Sequence, residues 1–514
     1  MKKIVNYCLI ILFAGIVASC TKGLSDLNRN KVSPTTLDAA FLLNNAIIST
    51  SYPTKTQIYE MSIVQQMVTP NGGVLAGGNF NVDSRDVVAA PIWAVYYQNV
   101  IKYAYDAIQK TKDVPARANM YNMARIWQAY AFMILTDTYG AIPYTEGGAG
   151  YTNQIFFPKY DQQQDIYPKL IQELSEASAA LNAAGTIETS DVLYAGNIAK
   201  WKKFGYSLLL RAGMRLSKVD PTKAQSTVQA AFAGGVITDN ADNAYMRHDA
   251  NYLNPAGNML NSTEAANWYL AKPFVDSLKN NNDPRLSAIA IRYVGATSGP
   301  TQTVGNGNTS AAVQIGMPMG YDNGTIPARA TADGLASFYD YSQADRRRIA
   351  KTTAPMFFVT AAQTNLLLAE ARFRGWITSG TTAAQYFSNG IAANMDQMAT
   401  YDPGCAVSAG ARDTYVAANP LTPGRELNQI NTQYWIASVF NGPESFANFR
   451  RSGFPLLTPN PYNQPNNPDV PNGTFIRRIG YPTSELSVNT QNVNAAIAAM
   501  GPDKLSTRLW WDKP

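Results

Sequence analysis

Apolar residues recur at intervals of three and four along much of the chain, the spacing that places them on one face of a helix. The clearest stretch covers about 115–137, where Pro115 suits the first turn and Gly140 ends the run. A second covers about 195–217, and there Gly205, Ala212 and Gly213 would let another helix approach closely. Trp127 and Trp201 lie on these two stripes, and we predict that both are core residues.

The same pattern predicts further helices. The first begins near Thr35 or Thr36 and places Leu37, Phe41 and Ile48 on its apolar face. The other predicted ranges are about 56–69, 90–111, 161–183, a short helix after Pro221, 263–280, 361–376, 381–399 and 427–440. Neighbouring helices joined by short breaks predict helical hairpins over about 36–235 and 361–440, which resemble a tetratricopeptide-like layer in architecture.

Between these helical parts lies a loop-rich region at about 238–355, dominated by Asn, Gly, Pro, Tyr and Thr. A Gly- and Asn-rich loop also covers about 71–81, and residues 453–514 are predicted to be irregular. Long loops in a large protein often carry function. We therefore expect ligand contacts to come from these loops.

The N-terminal segment has the pattern of a secretory signal peptide. Lys2 and Lys3 precede a short apolar run, and Val17-Ala18-Ser19-Cys20 resembles the bacterial lipobox. We predict a lipoprotein signal peptide at 1–19, a lipidated tether at 20–35 beginning at an acylated (palmitate-carrying) Cys20, and a body at 36–514. An ordinary signal peptide with an incidental Cys, or an anchor helix, are the alternatives. Thr21, rather than an Asp, favours the outer membrane.

Composition excludes several classes of protein. With 46% hydrophobic and 15% charged residues, the chain can bury a large core and is not disordered by composition. Loss of Lys2 and Lys3 with the signal peptide leaves 40 basic against 36 acidic residues, a net charge of +4. This balance is dispersed, with Arg346-Arg347-Arg348 as the one conspicuous basic run, so we expect no nucleic-acid partner.

The Cys and His content limits the chemistry. Cys8 leaves with the signal and Cys20 is the lipidation site, so Cys405 has no disulfide partner within the mature chain. The single histidine, His248, is predicted to be a surface or turn residue. Residues 239–243 (Asp-Asn-Ala-Asp-Asn) lack the Gly and distal Glu of a calcium loop and favour a helix-capping turn. We expect no catalytic residue, no metal and no cofactor.

Several segments, in order, resemble the SusD/RagB family of nutrient-binding outer-membrane lipoproteins. The matching segments are Leu135–Tyr144 (Asp-x-Tyr-Gly-x-x-Pro), Trp201–Arg215, Leu366–Ala371 with Gly375 (Ala-Glu-Ala), Phe449–Pro455 (Arg-Arg-x-Gly-x-Pro), Arg478–Asn489 with its Tyr-Pro and Glu485, and the terminal Leu509–Asp512. Trp-Trp-Asp at this last position is similar to one SusD-like subfamily. The resemblance extends from the lipobox to the last residues.

The resemblance implies a mostly α fold: a SusD-like single-domain body in which tetratricopeptide-like helix pairs pack against an irregular, loop-rich ligand-binding region. It also implies a SusC-like TonB-dependent outer-membrane transporter as partner, with this protein as its lid on the cell exterior. Members of the family bind oligosaccharides, or in some cases peptides, and perform no chemistry. The family motifs themselves, including Asp137, Tyr139, Arg450, Arg451, Trp510 and Trp511, are predicted to be structural.

Sugars are bound by aromatic faces together with amide, carboxylate and guanidinium groups. The candidate ligand residues are Trp268, Tyr269, Trp93, Asn79, Asp83, Arg85, Tyr252, Tyr321 and Tyr341. For Trp93, at the start of a helix after the first loop, a core position is the alternative to a binding platform. A glycan ligand is the first hypothesis, and a peptide ligand within the same family is its alternative. A glycoside hydrolase using two carboxylates, or a structural envelope protein without a small ligand, remain less favoured classes.

Overall fold

Helices dominate the computed structural model, which describes residues 37–72, 80–462, 469–471 and 473–514. The helices are α1 (Ala39–Ser49), α2 (Thr54–Ile63), α3 (Ala90–Val95), α4 (Lys102–Thr111), α5 (Ala118–Tyr139), α6 (Gly150–Asn153), α7 (Gln163–Ala180), α8 (Ile198–Arg215), α9 (Pro221–Gly234), α10 (Pro255–Leu260), α11 (Lys272–Asn280), α12 (Arg285–Ile289), α13 (Ile326–Ala332), α14 (Ala361–Phe373), α15 (Ala383–Tyr401), α16 (Ala409–Ala418), α17 (Glu426–Ala437), α18 (Gly442–Ser452), α19 (Thr483–Val488) and α20 (Thr490–Met500). This confirms the prediction of a mostly α fold.

Sequence neighbours pack against one another along the helical parts, as helical hairpins require. The pairs are α4 with α5, α7 with α8, α8 with α9, and α14 with α15. Between α3 and α4 the chain stays helical through a π-helical segment, Tyr96–Ile101, and a second such segment, Arg85–Ala89, precedes α3. Trp127 and Trp201 are fully buried in the core between these helices, as predicted.

Among the described residues, seven short strands form three small antiparallel sheets. The strands are β1 (Met67–Val68), β2 (Ala244–Met246), β3 (Tyr269–Leu270), β4 (Ala290–Tyr293), β5 (Gly307–Asn308), β6 (Gln343–Ala344) and β7 (Met356–Val359). β1 pairs with β3 and β2 with β7, while β4 lies between β5 and β6. The loop-rich region is thereby tied to the helical parts at β1 and β7.

Buried ion pairs connect distant segments of the main core. Arg215 donates from Nε to Asp137 Oδ2 at 3.1 Å and from Nη2 to Glu444 Oε2 at 2.6 Å. Arg451 binds Glu370 with two parallel hydrogen bonds of 2.7 and 2.8 Å. Such charges are tolerated in a core because each one is paired and hydrogen-bonded. The family motifs that hold these residues are structural, as predicted.

The start of the body differs from the sequence prediction. Asp38 caps α1 by accepting from Ala40 N at 2.8 Å, whereas Thr35 and Thr36 lie outside the described residues. Leu37 is 40% and Phe41 64% exposed, so the predicted apolar face of this helix was wrong. The helix instead buries the neighbouring stripe that contains Leu43 and Ile47. Because both stripes are apolar, spacing alone did not choose between them.

Three further predictions were wrong in part. Helix 263–280 begins only at Lys272, because the residues before it form turns and the strand β3. The C-terminal part contains α19 and α20 where irregular structure was predicted, since their few buried side chains give a weak apolar pattern. His248 is buried rather than exposed, stacked on Tyr252 at 4.9 Å between ring centroids.

The acidic run at 239–243 behaves as a capping turn. Asp239 Oδ1 accepts from Ala241 N at 2.8 Å at the start of a single 3-10 turn, Asn240–Asp242. Asp242 is engaged by Lys203 Nζ at 2.6 Å. The geometry is that of a local turn held by side-chain to backbone hydrogen bonds, as the sequence pattern indicated.

Candidate functional site

An aromatic cavity of about 660 Å³ opens where three segments meet. One wall comes from α3 and the π-helical segment after it, the second from the loop at 143–158, and the third from α19. The lining residues are Ala90, Trp93, Ala94, Tyr97, Gln98, Lys102, Pro143, Glu146, Gly147, Gly148, Gly150, Tyr151, Ile155, Phe156, Pro158, Ser484, Glu485, Val488 and Asn489. A volume of this size suits a ligand of a few sugar rings.

Trp93 forms the floor of the cavity and is only 7% exposed. Its ring lies 4.9 Å from that of Tyr97, meets Tyr139 edge-on at 5.0 Å and stacks on Tyr160 at 6.0 Å between centroids. These contacts hold the indole in one orientation as part of the main core, and they leave a small part of the ring at the cavity.

Glu485 links α19 to α3 and to Tyr160, which follows the loop at 143–158. Its Oε1 accepts from Trp93 Nε1 at 3.1 Å, and its Oε2 accepts from the Tyr160 hydroxyl at 2.7 Å. Burial and the adjacent Glu485 carboxylate raise the pKa of Tyr160 well above its ordinary value, so the phenol remains a neutral hydrogen-bond donor. Glu485 therefore positions the floor and is not itself free to bind a charged ligand.

Two more hydrogen bonds fix the loop at 143–158. Tyr97 donates its hydroxyl to Pro143 O at 2.9 Å, and Asn489 Nδ2 donates to Pro158 O at 2.9 Å. Gly148, at φ +86°, is needed here because a Cβ at that position would lie 2.9 Å from Cβ of Tyr105. Both ends of the loop, at Pro143 and Pro158, are therefore held by hydrogen bonds to their carbonyl oxygens.

The mouth of the cavity carries strongly exposed apolar side chains. Tyr151 is 88%, Phe156 75% and Val488 65% exposed. Gln98, Lys102 and Ser484 stand at the same rim and are exposed polar groups. Exposed aromatic rings beside amide, hydroxyl and ammonium donors form a combination that can stack on a sugar ring and bind its hydroxyl groups.

Of the predicted ligand residues that the structure describes, Trp93 alone lines this cavity. Trp268 is 2% exposed and belongs to the main core, and Tyr269 is completely buried, with its hydroxyl donating to Ala266 O at 2.7 Å. Neither ring presents a face to a ligand in this conformation.

The predicted polar residues of the first loop have structural partners. Arg85 Nε lies 2.6 Å from Asp83 Oδ2, and the same guanidinium binds the side chain and carbonyl oxygen of Asp503. These bonds connect the start of the helical run to the C-terminal part of the chain. Asn79 lies outside the described residues.

Two of the three predicted tyrosines, Tyr321 and Tyr341, share a small second core, and Tyr252 lies elsewhere. Tyr252 donates to Ile48 O at 2.5 Å, and the buried Tyr341 donates to Asp333 Oδ2 at 2.6 Å. Tyr321 is half-buried against a small second core that also contains Tyr269 and Tyr341. The aromatic richness of the loop-rich region therefore serves in large part to pack that region.

Sequence analysis missed Tyr97, Tyr151 and Phe156 as lining residues. Tyr97 was hidden within a helical run, where aromatic residues are more often core. Tyr151 and Phe156 follow the glycines at 147, 148 and 150, and a Gly-rich loop followed by consecutive aromatic residues was a signal that could have identified them.

Comparison with known proteins identifies the fold. The profile of a SusD-like family described as "starch-binding associating with outer membrane" matches residues 29–482, which is most of the chain. The chain belongs to this SusD-like family. This confirms the resemblance drawn from the sequence motifs. A search of curated proteins gives no match.

Solved structures agree with that assignment. A chitin-binding protein is 30% identical with a TM-score of 0.80, and the match covers 93% of this chain and 100% of the other. A structure titled "Bacteroidetes AC2a SusD-like" is 26% identical with a TM-score of 0.78, and the match covers 93% of this chain and 100% of the other. A chitin-binding SusD homologue from Flavobacterium johnsoniae, 23% identical, shares the fold with a TM-score of 0.73 over 92% and 98% of the two chains.

The family description names starch binding and the relative at 30% identity is named as chitin-binding, which supports the prediction of a binding protein rather than an enzyme. The family description places its members in association with the outer membrane. Within the described residues, no helix combines the length and apolar character needed to cross a bilayer. Cys20 and the predicted signal peptide lie outside the described residues.

Proposed function

We propose that this SusD-like protein captures glycans at the cell surface, with the cavity floored by Trp93 as the binding site. The observation that carries the proposal is the cavity with the exposed rings of Tyr151 and Phe156 at its mouth, in a fold shared with a relative named as chitin-binding. Because a relative at 30% identity is named as chitin-binding, chito-oligosaccharides are the first ligands to test.

The test compares neighbouring aromatic side chains by titration calorimetry with chito-oligosaccharides, other glycans and peptides. Tyr151→Ala and Phe156→Ala should each weaken glycan binding about fivefold, since each removes one stacking ring worth about 1 kcal/mol. Phe157→Ala is the matched control, because Phe157 is 60% exposed beside Phe156 but does not line the cavity. All three side chains are exposed, so the variants should keep their thermal midpoints.

Trp93→Ala should abolish measurable binding, with a folding check by circular dichroism because the ring is largely buried. Equal affinities for Tyr151→Ala, Phe157→Ala and the parent protein would refute the assignment of this cavity. Binding of peptides but of no glycan would leave the cavity as the binding site and identify peptides, not glycans, as its ligands. Product release from any glycan would favour the hydrolase alternative.

We further propose that Cys20 carries the lipid anchor on the outer membrane. Cys20→Ala should lose labelling by radioactive palmitate and leave the membrane fraction, because acyl chains supply the attachment. A Cys8→Ala variant, altered within the cleaved segment, is the matched control and should be labelled normally. Membrane fractionation of Cys20→Ala like that of the parent would contradict the lipobox interpretation.

The proposed partner is a SusC-like TonB-dependent transporter, for which the protein acts as a lid. The support is membership of the SusD-like family together with the proposed surface anchor. Co-purification of a barrel protein with the tagged lipoprotein from detergent-solubilised outer membranes is the expected result. Purification of the lipoprotein alone under mild detergents would count against a stable partnership.

A further inference from the structure

A second exposed apolar surface lies where the described part of the chain begins. Leu37 is 40%, Phe41 64%, Val114 41%, Ile187 54% and Val192 37% exposed. We name these five side chains the tether-side patch. Single exposed apolar residues are normal on a protein surface, whereas several together indicate a contact surface.

Hydrogen bonds and ion pairs show that these residues are neighbours. Arg117 Nη1 binds Asp38 Oδ2 at 2.9 Å, and its Nε binds Glu188 Oε1 at 2.7 Å. Asp38 follows Leu37 and Glu188 follows Ile187 in sequence, and Arg117 N donates to Val114 O at 2.8 Å. One guanidinium therefore holds three segments of the patch together.

A second link completes the patch on the side of α1. Asn44 Nδ2 donates to Ser190 O at 2.7 Å, and Val192 N donates to Asn44 Oδ1 at 3.1 Å. Phe41 lies one turn before Asn44 on the same side of the helix. The loop at 190–192 is thereby fixed beside the exposed Phe41 ring.

The charges within the patch are already paired. Hydrogen bonding to Arg117 lowers the pKa of Asp38 to about 2, so the carboxylate stays ionised and bound at neutral pH. Lys112 and Asp113, both exposed just before Val114, balance each other at the edge. Exposed apolar side chains whose neighbouring charges are balanced can enter the boundary between lipid headgroups and acyl chains.

The position of the anchor decides which face of the body meets the membrane. Seventeen residue steps separate Cys20 from Leu37, and that length of chain reaches at most about 60 Å in any arrangement. A body of this size is about 60 Å across, so half its circumference is about 90 Å. The anchor therefore cannot bring the opposite side of the body down onto the bilayer.

We propose that the tether-side patch rests on the lipid surface in which the lipid anchor is inserted. The inference relies on the anchor proposed at Cys20. The lipid surface is favoured over other occupants because the tether keeps it within reach of Leu37 at all times, at an effective concentration that no free partner attains. Contact through the patch orients the body on the membrane instead of leaving it to rotate on its tether.

The test places an environment-sensitive NBD fluorophore on the patch. The mature chain carries Cys20→Ser, an N-terminal hexahistidine tag and Phe41→Cys, and it is bound to phosphatidylethanolamine–phosphatidylglycerol vesicles that contain a nickel-chelating lipid. Cys405 is fully buried, so the label goes to position 41. Val304→Cys in the same background is the matched control, because Val304 is 66% exposed in the loop-rich region.

We expect NBD emission at position 41 to rise about two- to threefold and shift to the blue on vesicle binding, as the probe enters the interface, with no change at position 304. An unchanged signal at position 41 on floated, protein-loaded vesicles overturns the proposal. A signal already blue-shifted without vesicles shows that the chain covers the patch itself and also overturns it. A rise that needs an added transporter barrel assigns the patch to a protein partner instead.

The nickel-chelating anchor separates this result from the proposed lipidation. Failure of palmitate labelling at Cys20 refutes the native anchor but leaves the vesicle signal unaffected. Normal labelling with no vesicle signal refutes the patch alone.

Discussion

At the scale of single residues, the buried ion pair of Glu370 and Arg451 shows what a family motif contributes. Both side chains are 1% exposed, and Arg451 also binds Asn431 Oδ1 at 2.8 Å and Asn448 Oδ1 at 2.8 Å. Burial alone would raise the pKa of Glu370, but the charge and hydrogen bonds of Arg451 outweigh it and lower that pKa to about 2. The Ala-Glu-Ala and Arg-Arg segments are thus halves of one contact.

This pair predicts a specific dependence of stability on pH. A carboxyl whose pKa falls from about 4.5 when unfolded to about 2 when folded stabilises the folded state above pH 4.5 by about 3 kcal/mol. That contribution declines as the pH falls from about 4.5 to 2. Glu370→Gln should have a lower thermal midpoint at pH 6 and a flatter decline of the midpoint through the acid range.

The matched control for Glu370→Gln is Glu176→Gln, whose side chain is 52% exposed and whose partner Arg125 is also bound by Glu173. It should follow the parent protein at every pH. Scanning calorimetry between pH 6 and 3 measures both variants. A Glu370→Gln profile parallel to that of the parent would show that this pair does not carry the acid dependence.

The sequence predicted the buried, hydrogen-bonded residues of the family motifs better than it predicted the residues of the binding site. Arg450, Arg451, Asp137 and Trp511 were predicted to be structural, and all four are buried in hydrogen-bonded contacts. Acidic and basic family motifs that are far apart in sequence indicate a buried network of ion pairs. The reason is that an unpaired charge is strongly destabilising in a protein core. Aromatic residues give no such indication, since the same ring suits a core and a sugar platform.

At the scale of elements, α7 and α8 show how a small residue sets the distance between two helices. Gly205 on α8 faces Ser178 on α7, and a Cβ added at Gly205 would lie 2.0 Å from Ser178 Oγ and 3.0 Å from Ile126 Cδ1. The seam predicted from Gly205 and Ala212 is confirmed at this point. A close approach of two helices can be predicted from sequence, because a glycine inside a helix lowers its stability and an apolar stripe holds one where a neighbouring helix needs the space.

Gly205→Ala should destabilise the protein by about 1–3 kcal/mol, because the added methyl group forces two packed helices apart. Gly410→Ala is the matched control, since Gly410 lies in α16 with no heavy atom within 4 Å of the added Cβ. There the change should be neutral or slightly stabilising through helix propensity. Urea unfolding followed by circular dichroism measures the difference, and equal midpoints for the two variants would refute the close approach.

The elements that the sequence did not reveal share a physical cause. α19 has no buried residues and α20 buries only Val493 and Ala496, so neither has an apolar stripe of ordinary width. They are held by polar links instead, such as Asn492 Nδ2 to Phe157 O at 3.0 Å. Hydrophobic periodicity cannot detect a helix whose stability comes from side-chain hydrogen bonds to a distant loop.

At the scale of the whole molecule, the C-terminal segment secures the helical body. Trp511 is fully buried and donates from Nε1 to Asp137 Oδ1 at 2.9 Å, at the end of α5. The next residue, Asp512, is paired with Arg477 and Arg508. The last residues therefore join parts of the chain that are more than 300 positions apart.

Trp511→Ala should destabilise the whole body by about 3–5 kcal/mol, because it leaves a large cavity and removes one donor to Asp137. Trp511→Phe retains part of the volume and should lie between that variant and the parent. Trp510→Ala is the neighbouring control. Because Trp510 is only half-buried, this variant should lose less free energy of unfolding than Trp511→Ala. Thermal unfolding by circular dichroism compares them, and similar midpoints for Trp510→Ala and Trp511→Ala would contradict this role.

The hydrogen bonds of Glu485 have a consequence for thermodynamic linkage. The Glu485 carboxylate, on α19, accepts hydrogen bonds from Trp93 and from Tyr160. It therefore links α19 to parts of the chain more than 300 positions earlier. A ligand that binds more tightly when the cavity walls are assembled also stabilises the assembled walls. The two effects have the same coupling free energy. Hydrogen exchange at α19, which forms one wall of the cavity, would then slow in proportion to ligand saturation.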